Sequence, residues 1–196
     1  MERPAFRCAT TALALLFAVF APVSGRCDSL AARLDAVKVK AETGRAAEAF
    51  EDLKAAELEL WKGMTALSAR KLVLIEEEPP PDGVYRPRSG NLFRKGEAVR
   101  IALEPVGYAL KEEDGLYRLL LTTDFTVVDG QGDIYGGQRD FGRWEAASRR
   151  PVTEFLMFFT YDLEGLAPGE YIIETVVRDA YSDRTLELAT PVVIAE

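Results

Sequence analysis

Ile134 to Arg150 reads IYGGQRDFGRWEAASRR, and its residue types fit a binding surface better than any other stretch of the chain. Tyr135, Phe141 and Trp144 are interleaved there with Arg139, Arg143, Arg149 and Arg150, around several glycines, in a protein whose formal net charge is −8. Aromatic rings and arginines are enriched at interface hot spots, because both bring large contact area with directional polar groups. The same residue types suit a sugar face or an anionic polymer. Tyr135, Arg139, Phe141, Arg143 and Trp144 are therefore the candidate binding residues. The plainer reading is an edge strand whose aromatics are core and whose arginines neutralise neighbouring acids.

Chemistry of other kinds is narrowed by what the chain lacks. It has no histidine, which removes Ser-His and Cys-His nucleophilic pairs, imidazole-based zinc sites and the usual acid/base group of neutral pH. No GxSxG, P-loop or GxGxxG pattern is present. Paired carboxylates remain, since glycoside hydrolysis needs two acids about 5 to 10 Å apart. Asp124 and Glu154 could face each other across a sheet, although nothing selects them from the many other acids. Asp129 to Asp133, DGQGD, offers oxygen ligands for calcium but lacks the further carboxylates of a dedicated loop, so a hairpin turn is expected. Consecutive residues of an extended chain point to opposite sides, so Glu76, Glu77 and Glu78 read as a solvated linker and not as a cluster. No catalytic residue, metal ligand or cofactor is assigned.

The first 25 residues differ from the rest. Arg3 and Arg7 precede an apolar run from Cys8 to Ala21, and Pro22 to Gly25 supplies small residues, the layout of a signal peptide cleaved near Gly25. The run is shorter than the ~20 residues of a spanning helix, so no permanent membrane span is expected. A secreted, periplasmic protein follows, with Cys27 its one remaining thiol, either in a frayed N-terminus or in an intermolecular disulfide. The acidic balance disfavours nucleic acid and anionic membrane as partners.

The elements that would carry the candidate surface come next. Leu30, Leu34, Val37 and Ala41 repeat at helical spacing, as do Phe50, Leu53, Leu60, Trp61, Met64 and Leu67, which predicts helices over 28 to 43 and 46 to 69 with a turn at Gly44. From Lys71 the period becomes two, and Pro79 to Pro81 stiffen a linker. Short strands with turn signals are expected near 72, 84, 99, 119, 134, 141, 157, 173 and 190. Phe155 to Phe159 is apolar on both faces, so a cover is required, and the helical hairpin is the candidate.

Two segments carry resemblances. In TYDLEGLAPGEYIIETVV, Leu166, Pro168 and Gly169 turn the chain and Tyr171 leads the face of Ile173, Thr175 and Val177. The passage resembles the tyrosine corner of fibronectin type III and other immunoglobulin-like sandwiches, which implies that fold and no particular activity. The cysteine pair and core tryptophan of antibody domains are absent. AETGRAAEAF resembles the turn of a tetratricopeptide repeat, but no second copy follows, and one such unit cannot bury its face alone. The hairpin is therefore expected to lie on another part of the chain or on a partner.

The resulting expectation is an α+β protein: signal peptide over 1–25, α-helical hairpin over 26–70, strand and Pro-rich linker over 71–82, and immunoglobulin-like antiparallel β-sandwich over 83–196. Its expected function is non-enzymatic binding of another envelope or secreted protein. The alternatives are a carbohydrate-binding module for envelope glycans and a carboxylate-dependent glycan hydrolase.

Overall fold

The computed structural model describes residues 25–78 and 83–195, with side chains from residue 30 onward. The expected signal segment before Gly25, the Cys27 side chain, and Pro79 to Asp82 lie outside them. The chain divides into two compact units, Met1–Asp52 and Leu53–Glu196. Its class is α+β: among the described residues two helices are followed by sheets that are antiparallel except at one short pairing.

In the first unit α1 spans Gly25–Glu42, and α2, Ala46–Gly63, begins after a turn at Gly44, whose φ of +75° is open to glycine at little cost. The Thr43 hydroxyl donates to the Val39 carbonyl, the Arg45 amide to the Lys40 carbonyl, and Lys40 Nζ to Asp52 Oδ2 at 2.6 Å, which ties the two helices together. Leu34, Val39 and Phe50 are exposed.

The second unit starts with the rest of α2, which stops at Gly63 and not at the expected 69, because Ser68 already belongs to a strand. Nine strands follow among the described residues: β1 (Ser68–Ile75), β2 (Leu92–Phe93), β3 (Val99–Val106), β4 (Lys111–Glu113), β5 (Leu116–Asp129), β6 (Ile134–Ser148), β7 (Met157–Tyr161), β8 (Gly169–Asp179) and β9 (Thr185–Ile194). One sheet has the order β1-β3-β7, and the other runs β2-β9-β8-β5, with β4 and β6 also paired to β5. The segment near 84 forms no strand, while those near 134 and 141 are halves of one.

Alternation explains the burial. Val99, Ile101 and Leu103 of β3, Leu119 and Leu121 of β5, Met157, Phe159 and Tyr161 of β7, and Tyr171, Ile173 and Val177 of β8 meet in one core, so each sheet turns one face inward. A polar contact crosses that core: the hydroxyls of Tyr161 and Thr175 lie 2.7 Å apart, and burial pushes the Tyr161 phenol up to about 12. At the corner Tyr171 donates its hydroxyl to the Ala167 carbonyl at 3.0 Å, while Leu166 packs on the core and Gly169 opens β8. On the outer face of β7 the Tyr85 ring meets that of Phe158 at 5.9 Å. The end of α2 is fixed by Trp61, which donates Nε1–H to the Tyr108 carbonyl at 2.8 Å, with its ring edge-on to the Tyr108 ring.

Candidate functional site

The segment singled out from the sequence forms β6 and the turn after it. β6 pairs with β5 along one edge, and no strand among the described residues pairs with the other. It is therefore a fifteen-residue sheet edge, the kind of backbone surface that takes up partners unless it is guarded.

Three guards are visible. Arg143 and Glu145 pair across its exposed face at 2.9 Å, Gly136 and Gly137 remove side chains, and the register with β5 slips between Thr123/Gly142 and Phe125/Gln138. Asp124 of β5 faces the slip. Its Oδ1 accepts the Asp140 amide at 2.8 Å and its Oδ2 accepts Arg178 at 2.7 Å, holding Asp140 at a φ of +50°. A carboxylate on one strand thus builds the bulge of its neighbour.

The bulge decides where the candidate side chains go. Strict alternation would send Phe141 and Trp144 to opposite faces, yet both pack on the core: Phe141 stacks on Tyr161 at 5.1 Å, and Trp144 meets Phe159 edge-on at 5.0 Å. The Trp144 ring lies over the Cα of Gly142, where an added Cβ would come within about 2.0 Å of the indole. Tyr135 is 54% exposed beside Ile134, which is 73% exposed, and its ring meets the edge of Tyr171 at 5.3 Å. Arg139 and Arg143 are exposed. The five candidates therefore separate into two aromatics packed on the core and three exposed side chains, Tyr135, Arg139 and Arg143.

The acids considered for catalysis have different surroundings. Asp124 is engaged by Arg178 and the Asp140 amide, whereas Glu154 lines a cleft with Arg70 and Glu104. In the DGQGD turn Asp129 Oδ1 accepts the amides of Gln131 and Asp133 at 2.9 and 3.0 Å, so the carboxylate serves its own hairpin.

The Asp124 contacts make a prediction about pH. The Asp140 amide, followed by Arg178 and Arg139, outweighs the opposing effect of burial and holds Asp124 below the ordinary aspartate value. A group with a depressed folded-state pKa adds stability above its unfolded value that is lost as pH falls through the folded one. Asp124→Asn should therefore cost about 0.5–1 kcal/mol at neutral pH, kept small by solvent screening. The difference from the parent should shrink as pH is lowered below about 4. Urea melts at several pH values measure it, and a difference that grows on acidification would contradict the assignment.

No protein-family model matches the chain, and no curated protein matches it. Among solved structures it is similar to an alkylpurine DNA glycosylase, AlkC of Pseudomonas fluorescens, bound to DNA containing an abasic site analog, with 10% identity over 83% of this chain and 43% of that one and a TM-score of 0.40. It is also similar to a β-glucosidase from Listeria innocua in complex with gluconolactone, with 10% identity over 66% of this chain and 16% of that one, TM-score 0.35. A third is the sporulation control protein Spo0M of Bacillus subtilis, with 11% identity over 68% and 51% of the two chains, TM-score 0.36. The chain spans about half or less of each of these three proteins, and likenesses this distant assign it neither family nor activity.

Proposed function

We propose that the chain is an exported, non-enzymatic protein whose β body is an immunoglobulin-like sandwich and which binds another envelope or secreted protein through the β6 edge. The fold reading is supported by the strand orders β1-β3-β7 and β9-β8-β5-β6 of two sheets that share one core, and by the Tyr171 hydroxyl bonded to its own corner. Export is supported by Arg3 and Arg7 ahead of the apolar run to Ala21. Among the described residues no helix is long and apolar enough to cross a membrane.

The observation that carries the binding reading is the exposure of Ile134 and Tyr135 at the start of a free strand edge. Large apolar side chains left in water at an edge that is guarded only further along suit an anchor into a partner's pocket. Residues 134–150 contain four arginines against two acids, in a chain of net charge −8. An acidic protein surface with an apolar recess is the complementary partner.

A photo-crosslinking side chain at position 135 is expected to capture one protein in the envelope fraction, and Arg139→Ala should reduce that capture several-fold. The same probe at Leu92, exposed on another edge, should capture none. Equal capture from both positions, or none from position 135, would overturn the reading. Retention on envelope polysaccharide that Tyr135→Ala abolishes would favour a glycan in its place.

A further inference from the structure

Away from β6 the second unit has a cleft of about 350 Å³ where β1 begins and β3 ends. Its charged side chains are Arg70, Glu104 and Glu154, and Pro105, Phe155 and Leu156 form its apolar side. Arg70 is there because of a register slip. Ala69 pairs with Pro105 and Lys71 with Glu104, so Arg70 is an extra residue with no partner on β3, and a bulge of this kind re-aims its side chain.

The charges in the cleft do not neutralise each other by contact. Among the described residues the Arg70 guanidinium has no carboxylate within 4.0 Å, so it stands apart from both Glu104 and Glu154. Glu57 behind the wall is already satisfied, because it accepts Lys54 at 2.6 Å and the Thr153 hydroxyl at 2.7 Å. The opposite wall is held firmly: Thr153 is buried, and Tyr108 donates its hydroxyl to the Val152 carbonyl at 2.9 Å. The cleft therefore holds one cation and two acids that do not touch it, with an apolar surface beside them.

We propose that this cleft binds a small zwitterion with an apolar side chain, of the class of a free α-amino acid. The ligand carboxylate meets the fork of Arg70, which suits it bidentately, and the ammonium lies toward Glu154 and Glu104. The side chain rests on Pro105, Phe155 and Leu156. The volume falls within the range of small-molecule sites. This site is independent of the β6 edge, and either can fail without the other.

The test is calorimetric titration of the full chain with alanine, valine, leucine and phenylalanine, alongside isovalerate and isoamylamine, which carry one charge each. At least one amino acid should bind saturably below about 1 mM, with both single-charge analogues weaker by about tenfold or more. Arg70→Ala and Glu154→Gln should each weaken that binding by about tenfold, the effect of one lost charge-assisted contact. Both side chains are exposed, so the thermal midpoint should hold. No saturable heat from any of the four amino acids up to about 10 mM would overturn the proposal. So would analogues that bind equally well, or full binding by a folded Arg70→Ala protein.

Discussion

Trp61→Ala is expected to lower the unfolding free energy by about 3–5 kcal/mol, the range for removing a large buried ring. Trp61 is 4% exposed and lies on the Tyr108 ring with centroids 4.9 Å apart. The truncation removes that contact and leaves a void in the core shared with Leu67 and Tyr108. It also strips the Tyr108 carbonyl of its 2.8 Å partner. Tyr108 in turn holds the Val152 carbonyl, so the change should loosen the wall at 152–156 as well as the end of α2. Trp61→Phe separates the two contributions, because it keeps most of the area and loses the N–H, for about 1–2 kcal/mol. Urea denaturation measures both. A cost for the alanine variant below about 1 kcal/mol would mean that the last turns of α2 are not docked on the β body.

The helical stripe around Trp61 shows how far the sequence could be read. Period alone groups Phe50, Leu53, Leu60, Trp61, Met64 and Leu67, and α2 is helical through Gly63. The structure buries Trp61 and Leu67 and exposes the others. Periodicity locates an apolar arc, while the contacts that cover part of it come from residues such as Tyr108, distant in sequence. Strands were more legible, because a two-residue period leaves no choice of arc. The faces of Val99, Ile101 and Leu103 and of Tyr171, Ile173, Thr175 and Val177 are buried as their spacing implies.

Legibility failed where register was set from another strand. The sequence places separate strands near 134 and 141, but β6 runs through both, because Asp124 on β5 supplies the acceptor that the kinked Asp140 amide needs. That kink brings Phe141 and Trp144, three residues apart, onto the same core and leaves Tyr135 and the arginines outside. Composition could identify the segment but not divide it. Arg70 was overlooked for the same reason, since nothing in SARKLVLI marks which residue β3 will leave unpaired. The ring that meets Phe158 is that of Tyr85, beyond the proline run, and local pattern has no access to such a contact.

Asp179→Ala should cost about 3–5 kcal/mol, as expected when several donors to one buried carboxylate lose it together. Asp179 is 3% exposed at the end of β8 and makes contacts that reach across the chain. Its Oδ2 accepts the Ala109 amide and the Ser182 hydroxyl, both at 2.6 Å, and its Oδ1 accepts the Tyr181 amide at 3.0 Å. The turn from 179 to 184 is thereby bound to the segment after β3. Arg184 reinforces the join by donating to the Gly107 carbonyl, and Gly107 is the residue that must sit there: its φ is +88°, and a Cβ would come within 2.4 Å of the Ala66 carbonyl. Without the carboxylate, two amides and a hydroxyl lose the acceptor that one buried side chain supplies to all three. Asp179→Asn is the sharper test, because it keeps shape and one acceptor. Its amide nitrogen, placed at either oxygen position, confronts a backbone donor, so Asn should be nearly as destabilising as Ala. If Asn retained parental stability in urea melts, the ionised carboxylate would not be what holds this join. If it falls with Ala, the positions of Gly107 and Tyr108, and through Tyr108 the wall of the Arg70 cleft, are set by one buried acid outside every motif in the sequence.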